Sequence, residues 1–123
     1  MIYALSVLLA LAPASVALSV EPWTGSDFQT TSSVAAKYRL EVTGKPDATV
    51  RLRAHGVAQG WLAAFCTPRL CSPAGIEARL SHNGSAVFQF ELIRESANAP
   101  RRSGAVITDG DGASVTVPAA VRQ

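Results

Sequence analysis

The stretch Gly60-Trp-Leu-Ala-Ala-Phe-Cys-Thr-Pro-Arg-Leu-Cys-Ser-Pro73 holds both cysteines of the 123-residue chain and one of its two tryptophans. Residues 61–66 include no polar residue, and Gly60 and Pro68 bound this apolar run. A short apolar run of this kind suits a strand that is covered on both faces. A helix does not fit, because too few residues lie between the glycine and the proline. We therefore predict a central strand that runs into a loop closed by Cys66 and Cys71.

On both sides of this stretch the chain alternates apolar and polar residues, the period-two pattern of strands with one buried face. The alternating runs are 37–43, 48–54, 76–81, 87–92, 105–108 and 113–117. The turn signals Asn83-Gly84 and Asp109-Gly110 each separate two runs and predict tight hairpins. Pro118 is expected to end the last strand, because proline cannot donate to the ladder. With the central strand this makes about seven short strands and no helix, which predicts an all-β antiparallel sandwich.

The N-terminal segment has the layout of a secretory signal peptide. Residues 1–17 carry no charged side chain and are mostly apolar. Pro13 breaks the apolar run, and small residues follow it. One feature departs from the usual layout, because the n-region of the signal peptide has no lysine or arginine. Cleavage after Ala17 and cleavage after Ser19 both fit the pattern of small residues. A membrane anchor needs about 20 apolar residues, and the proline makes this run too short.

These features predict three segments. We expect a signal peptide at 1–19, a lead-in or edge strand at 20–36 and the β-sandwich at 37–123, with no membrane span after cleavage. The protein is then secreted, periplasmic or attached to the cell surface.

Charge argues against a nucleic-acid partner. Charged residues are only 16% of the chain and the formal net charge is +2. No arginine-rich or aromatic-interleaved patch appears, and the adjacent pair Arg101-Arg102 is typical of a solvated loop.

The order of the signals resembles the immunoglobulin-like accessory domains of secreted bacterial proteins. The matching features are Val42-Thr-Gly44, an alternating strand, Gly60-Trp61, the Asn-Gly turn, Phe88-x-Phe90-x-Leu92 and the final hairpin. The resemblance covers roughly residues 38–117 and implies an immunoglobulin-like sandwich. It also implies that Trp61 packs the middle of the core from the third strand, with Phe88 and Phe90 opposite. Antibody-type domains link two strands across the core, whereas Cys66 and Cys71 are too close in sequence to bridge two sheets.

The two cysteines allow two interpretations. In an exported protein, a pair this close predicts a structural disulfide. The alternative is a periplasmic redox or metal-handling protein that uses Cys66 and Cys71, with His55 as a further ligand. Redox enzymes of this kind place Cys-x-x-Cys at a helix N-terminus. Here the spacing is wider and the first cysteine ends a strand, which favours the structural disulfide.

Other chemistry has little support in the sequence. Asp109-Gly-Asp-Gly112 echoes part of a calcium loop but lacks the remaining oxygen ligands, and Asn83-Gly-Ser85 is a glycosylation sequon that the turn alone explains. Glu77 and Glu91 are expected to face each other across the first hairpin as solvated residues. No nucleophile elbow, zinc-protease motif or phosphate loop occurs. We expect no catalytic residue, no metal, no cofactor and no enzyme activity.

The predicted function is therefore a secreted, non-catalytic module that binds a protein or a glycan at the cell surface, or that has a structural role there. Loops at the ends of a sandwich usually carry function. The loop residues Thr67, Arg69 and Leu70 are the predicted contacts, because a disulfide orders the loop in advance and lowers the entropy cost of binding.

Overall fold

A computed structural model describes residues 16–28 and 34–120 of the chain. Within these two ranges the chain forms nine β-strands and no helix, which confirms the predicted all-β fold. The strands are β1 (Ala17–Pro22), β2 (Val34–Thr43), β3 (Thr49–His55), β4 (Trp61–Cys66), β5 (Cys71–Pro73), β6 (Gly75–Arg79), β7 (Ser85–Arg94), β8 (Arg102–Thr108) and β9 (Ser114–Ala120). Strand β5 is additional to those that the sequence predicts, and the edge strand β1 overlaps the predicted lead-in or edge strand at 20–36 only in residues 20–22.

The strands form two antiparallel sheets that pack face to face as a sandwich. One sheet has the order β1-β2-β7-β4-β5 and the other has the order β6-β3-β8-β9. Every second side chain of a strand points to the same face, and the inward rows of both sheets meet in one buried cluster. Its large, fully buried members include Leu40, Leu52, Phe65, Leu80, Phe88, Phe90, Leu92, Ile107 and Val117.

Strand β4 is buried on both faces, as its apolar sequence predicts. It lies between β7 and the three-residue edge strand β5, so the middle of the five-stranded sheet is β7 and not β4. Trp61, Ala63 and Phe65 point into the main core, while Ala64 and Cys66 join a second buried cluster on the outer face. The prediction for residues 61–66 is therefore correct for burial and wrong for the position in the sheet.

Trp61 is a core residue, but its predicted surroundings are wrong. The indole is only 6% exposed, and its Nε1–H donates a hydrogen bond of 2.7 Å to the carbonyl of Pro100. Trp61 lies on the fourth strand, in the same sheet as Phe88 and Phe90. These two phenylalanines therefore enter the core from the same sheet as Trp61 and do not pack opposite to it; the cross-strand partner of Phe90 is Phe65.

The Asn83-Gly84 turn does not join two paired strands. Strand β6 before it belongs to the four-stranded sheet, and β7 after it is in the middle of the other sheet. Gly84 has φ +75°, and a Cβ atom there would lie 2.3 Å from the carbonyl oxygen of Gly44. The turn is thus a corner between the sheets, in which two glycine backbones meet: the Gly44 N–H donates to the Gly84 carbonyl at 2.8 Å.

The second hairpin, β8 to β9, is confirmed, with Thr108 paired to Ser114. The Asp109 side chain accepts the N–H groups of Asp111 and Ala113 and so fixes this turn. Pro118 does not end the strand, because β9 continues to Ala120. Since β9 is an edge strand, the missing N–H need not remove a ladder bond.

Strand β1 pairs along its whole length with β2, from Ala17 opposite Thr43 to Pro22 opposite Tyr38. It therefore extends across the predicted boundary between residues 19 and 20. The apolar segment predicted to be an export signal lies mostly outside the described residues. In the part of the chain that the structure describes, no helix is long and apolar enough to cross a membrane.

Candidate functional site

Cys66 and Cys71 form a disulfide, as predicted, with an S–S distance of 2.02 Å. The two residues are direct cross-strand partners, at the end of β4 and the start of β5. Their Cα atoms are 3.9 Å apart. The disulfide therefore lies within one sheet, at the edge that β5 forms.

The loop between the cysteines is held by its own hydrogen bonds. The Thr67 N–H donates to the Leu70 carbonyl at 2.7 Å. The Thr67 Oγ1 accepts the N–H groups of Arg69 and Leu70, both at 3.2 Å. The structure thus brings the three predicted contact residues together on one tight turn. Leu70 at its end is 53% exposed, although it is a large apolar residue.

A groove of about 570 Å³ lies beside Leu70 and is lined by β5, β6 and residues 51–53 of β3. Its walls include Arg51, Arg53, Leu70, Pro73, Ile76 and Glu77. The Arg51 Nε and Glu77 Oε2 atoms form an exposed ion pair at 2.7 Å. Arg53, one position along the same wall, has no ion-pair partner among the described residues. The groove therefore combines an apolar rim with an available positive charge.

A second feature lies behind the disulfide, on the outer face of the five-stranded sheet. Gln89 and Glu91 of β7 point to this face, and both are fully buried. The Glu91 Oε1 lies 3.5 Å from the Cys66 Sγ. The Gln89 Nε2 donates to the Glu91 Oε2 at 3.1 Å and to the Asp27 Oδ1 at 3.3 Å. The Gln89 amide thus orients the carboxyl group of Glu91 toward the disulfide.

The segment before β2 covers this face. The Phe28 N–H donates to the Gln89 Oε1 at 2.7 Å, and the Phe28 ring packs on the cluster formed by Ala64, Cys66 and Ile93. Trp23 meets Phe28 edge to face, with ring centroids 4.7 Å apart. Residues 23–28 therefore form a cover over Gln89, Glu91 and Cys66.

The prediction that Glu77 and Glu91 face each other as solvated residues is wrong. Glu77 is exposed on β6 in the other sheet, because the intervening turn is a corner. Glu91 is buried because residues 23–28 lie across its face of the sheet. The pattern Phe88-Gln-Phe-Glu-Leu92 shows which side chains point away from the core. It carries no signal that another segment covers them, so sequence reasoning missed Gln89 and Glu91.

Three potential metal ligands meet here. One side-chain atom each of Cys66, Cys71 and Glu91 lies within 4.8 Å of the other two. Zinc binds the thiolate form of cysteine. Because both sulfur atoms are in the disulfide, the two cysteines are not available as zinc ligands in this oxidised state. His55, the further ligand in the alternative interpretation, ends β3 in the other sheet. His82 lies in the corner turn with its Nδ1 2.9 Å from the Asp47 carboxylate.

The chain matches no protein-family model, and no curated protein matches it.

Proposed function

We propose that the protein is an exported, non-catalytic, immunoglobulin-like module that binds a partner at the cell surface through the disulfide loop and the adjoining groove. One observation carries the proposal. A turn fixed by its own hydrogen bonds presents Leu70, 53% exposed, at the rim of the groove.

The strand order supports an immunoglobulin-like fold. When β1, β2, β3, β4, β7, β8 and β9 are lettered A to G, one sheet has the order A-B-E-D and the other contains C-F-G. This is the order of immunoglobulin constant domains. Two departures remain. Trp61 lies on the strand lettered D, whereas the tryptophan of immunoglobulin domains lies on C, and the disulfide stays within one sheet.

The chemistry of the groove favours a protein segment as the partner. Covering a leucine side chain contributes about 1.5–3 kcal/mol, and an ordered loop loses little entropy on binding. Arg53 and Arg69 can pair with carboxylates that flank an apolar side chain of the partner. Strand β6 is the outer strand of its sheet, so an extended segment can add to its open edge.

Export is supported by the sequence of residues 1–17 and by the disulfide, because disulfides form and persist in oxidising compartments. The proposed location is the secreted, periplasmic or cell-surface space. The binding partner belongs to that space and is not a nucleic acid.

The test is capture of envelope components by the immobilised protein and by two variants. Leu70→Asp places a charge at the rim of the groove. Ala97→Asp is the matched control, because residue 97 is exposed on the loop after β7, at the opposite end of the sandwich. We expect a component that binds the wild type and Ala97→Asp but not Leu70→Asp. A component held equally by all three proteins would contradict the proposed site, and a captured glycan instead of a protein would correct the partner class.

A further inference from the structure

We propose that the Cys66–Cys71 disulfide is an exchangeable redox site, in which Glu91 supplies and takes up the proton of Cys66. The reaction partner is a dithiol of the compartment that holds the protein. This goes beyond the proposed binding function and is independent of it.

The disulfide adds little stability to a loop that backbone hydrogen bonds already close. Cys66 and Cys71 already face each other in the β4–β5 ladder, and the Thr67 N–H to Leu70 carbonyl bond closes the same loop. A cross-link over so short a loop removes little entropy from the unfolded chain. Structural bracing is therefore a weak reason for a disulfide at this position.

The contact between Glu91 and the disulfide has a chemical consequence. A disulfide sulfur carries no hydrogen, so in the oxidised protein only a protonated Glu91 can donate across the 3.5 Å between its Oε1 and the Cys66 Sγ. After reduction, the Cys66 thiol can donate to the carboxylate. One proton thus has a place in both redox states, on Glu91 when the disulfide is closed and on Cys66 when it is open.

Access differs between the two sulfur-bearing residues. Cys66 is fully buried, whereas Cys71 is partly exposed at the edge of the sheet. In the proposed exchange an external thiolate therefore attacks Cys71 and not Cys66, and Cys66 is the leaving group. Exchange requires this leaving sulfur to accept the electron pair of the broken bond, and a neighbouring proton donor makes that easier.

In the proposed reaction, two successive thiol–disulfide exchanges reduce the protein disulfide. A thiolate of the dithiol attacks the Cys71 Sγ, the S–S bond breaks, and the Cys66 Sγ takes the electron pair and the proton of Glu91. The second thiol of the reductant attacks the reductant sulfur in the mixed disulfide and releases the Cys71 sulfur. Water supplies the proton for Cys71, and Glu91 stays ionised as the acceptor of the Cys66 thiol. In total the protein disulfide gains two electrons, and its two sulfur atoms gain two protons, one from Glu91 and one from water. The dithiol loses two electrons, releases its two protons to water and becomes a disulfide.

Other charged groups face Glu91 from the elements around it. Lys37 of β2 is its cross-strand partner, and the Lys37 Nζ is 2.6 Å from the Asp27 Oδ2 in the covering segment. Asp27 in turn meets Gln89, which contacts Glu91. Arg39, the next outward residue of β2, is held by carboxylates on β1 and β2. From β4 the facing partner is Ala64, which does not titrate.

The test compares the wild type with Glu91→Gln and Glu41→Gln in buffers of graded dithiol-to-disulfide ratio. Glu41 also points to the outer face of the five-stranded sheet, but it is only partly buried and is paired with Arg39, so it is the matched control. We expect Glu91→Gln to need about tenfold more reductant for half reduction, because a neutral amide is a weaker acceptor for the thiol than a carboxylate. Glu41→Gln should match the wild type.

Two further measurements separate proton transfer from a merely structural role. The reduction rate per reductant thiolate should show a pH step in the wild type that Glu91→Gln removes. A monothiol should form its mixed disulfide on Cys71, located by peptide mass spectrometry. Equal midpoints for all three proteins would overturn the proposal. If Glu91→Gln fails to fold, a pH-independent rate in the wild type, or an adduct on Cys66, would do the same.

Discussion

At the scale of single residues, two glycines show how tightly the sandwich is assembled. A Cβ at Gly60 would lie 2.6 Å from the Cβ of Ala99, and one at Gly84 would lie 2.3 Å from the Gly44 carbonyl oxygen. Both residues also have positive φ, near +85° and +75°. Glycine is therefore required at both positions for two reasons, namely the positive φ of the backbone and the close approach of a neighbouring residue.

We predict that Gly84→Ala destabilises the fold by about 3 kcal/mol, from left-handed strain and overpacking together. Gly110→Ala is the control, because Gly110 has a similar φ of +84° but no atom within 4 Å of an added Cβ. That change should cost only about 1 kcal/mol of strain. Urea denaturation of both variants measures the difference, and equal costs would mean that the corner is not packed as described.

At the scale of elements, local turn chemistry was predictable and strand partners were less so. Asp109-Gly110 predicts a turn and β8 does pair with β9. Asn83-Gly84 also makes a turn, but burial in separate sheets decides the partners of β6 and β7. The effect of Pro118 is not predictable from the sequence, because it depends on whether the strand lies at the edge of a sheet, and a single sequence does not give the strand order.

Strands β2 and β9 belong to different sheets, and a polar contact between Tyr38 and Pro118 joins them. The Tyr38 hydroxyl donates to the Pro118 carbonyl, and burial raises the pKa of Tyr38 above its ordinary value. The unfolded chain therefore loses the phenolic proton first as the pH rises. The stability that the neutral Tyr38 side chain contributes is fully present below the ordinary pKa of 10.0. It is lost as the pH rises through the raised pKa of the folded protein.

We predict that Tyr38→Phe costs about 1 kcal/mol near neutral pH. The stability difference between wild type and Tyr38→Phe should shrink above the ordinary tyrosine pKa, as urea denaturation at both pH values will show. Absorbance titration of the native protein provides a direct check. Phenolate that appears at the same pH in native and urea-unfolded protein would contradict the account.

At the scale of the whole molecule, the all-β sandwich, the buried β4 and the disulfide followed from alternation, an apolar run and cysteine spacing. The cover over Gln89 and Glu91 did not, because it depends on where residues 23–28 lie after folding. Residues 18–21 of β1 do alternate apolar and polar, but they adjoin the apolar run of the predicted signal peptide, and the pairing of β1 with β2 is seen only in three dimensions.

The pairing of β1 with β2 favours one of the two predicted signal-peptide cleavage positions. Leu18 and Val20 pair with Val42 and Leu40 and pack against the core. Both cleavages remove Val16, which also packs against the core. Cleavage after Ser19 would remove Leu18 as well, whereas cleavage after Ala17 keeps Leu18 and Val20. We therefore predict a mature N-terminus at Leu18, measurable by intact mass of the exported protein. A protein that begins at Val20, or that keeps Met1, would contradict this.

The proposed function depends most on a loop that is ordered before it binds. Thr67→Val keeps the shape of the side chain but removes the oxygen that accepts the Arg69 and Leu70 N–H groups. The control is Thr116→Val, an exposed threonine of β9 in the other sheet. The decisive measurement is the affinity of each protein for the partner captured by the wild type. The account predicts about tenfold weaker binding for Thr67→Val and an unchanged affinity for Thr116→Val, whereas equal affinities for all three proteins would contradict it.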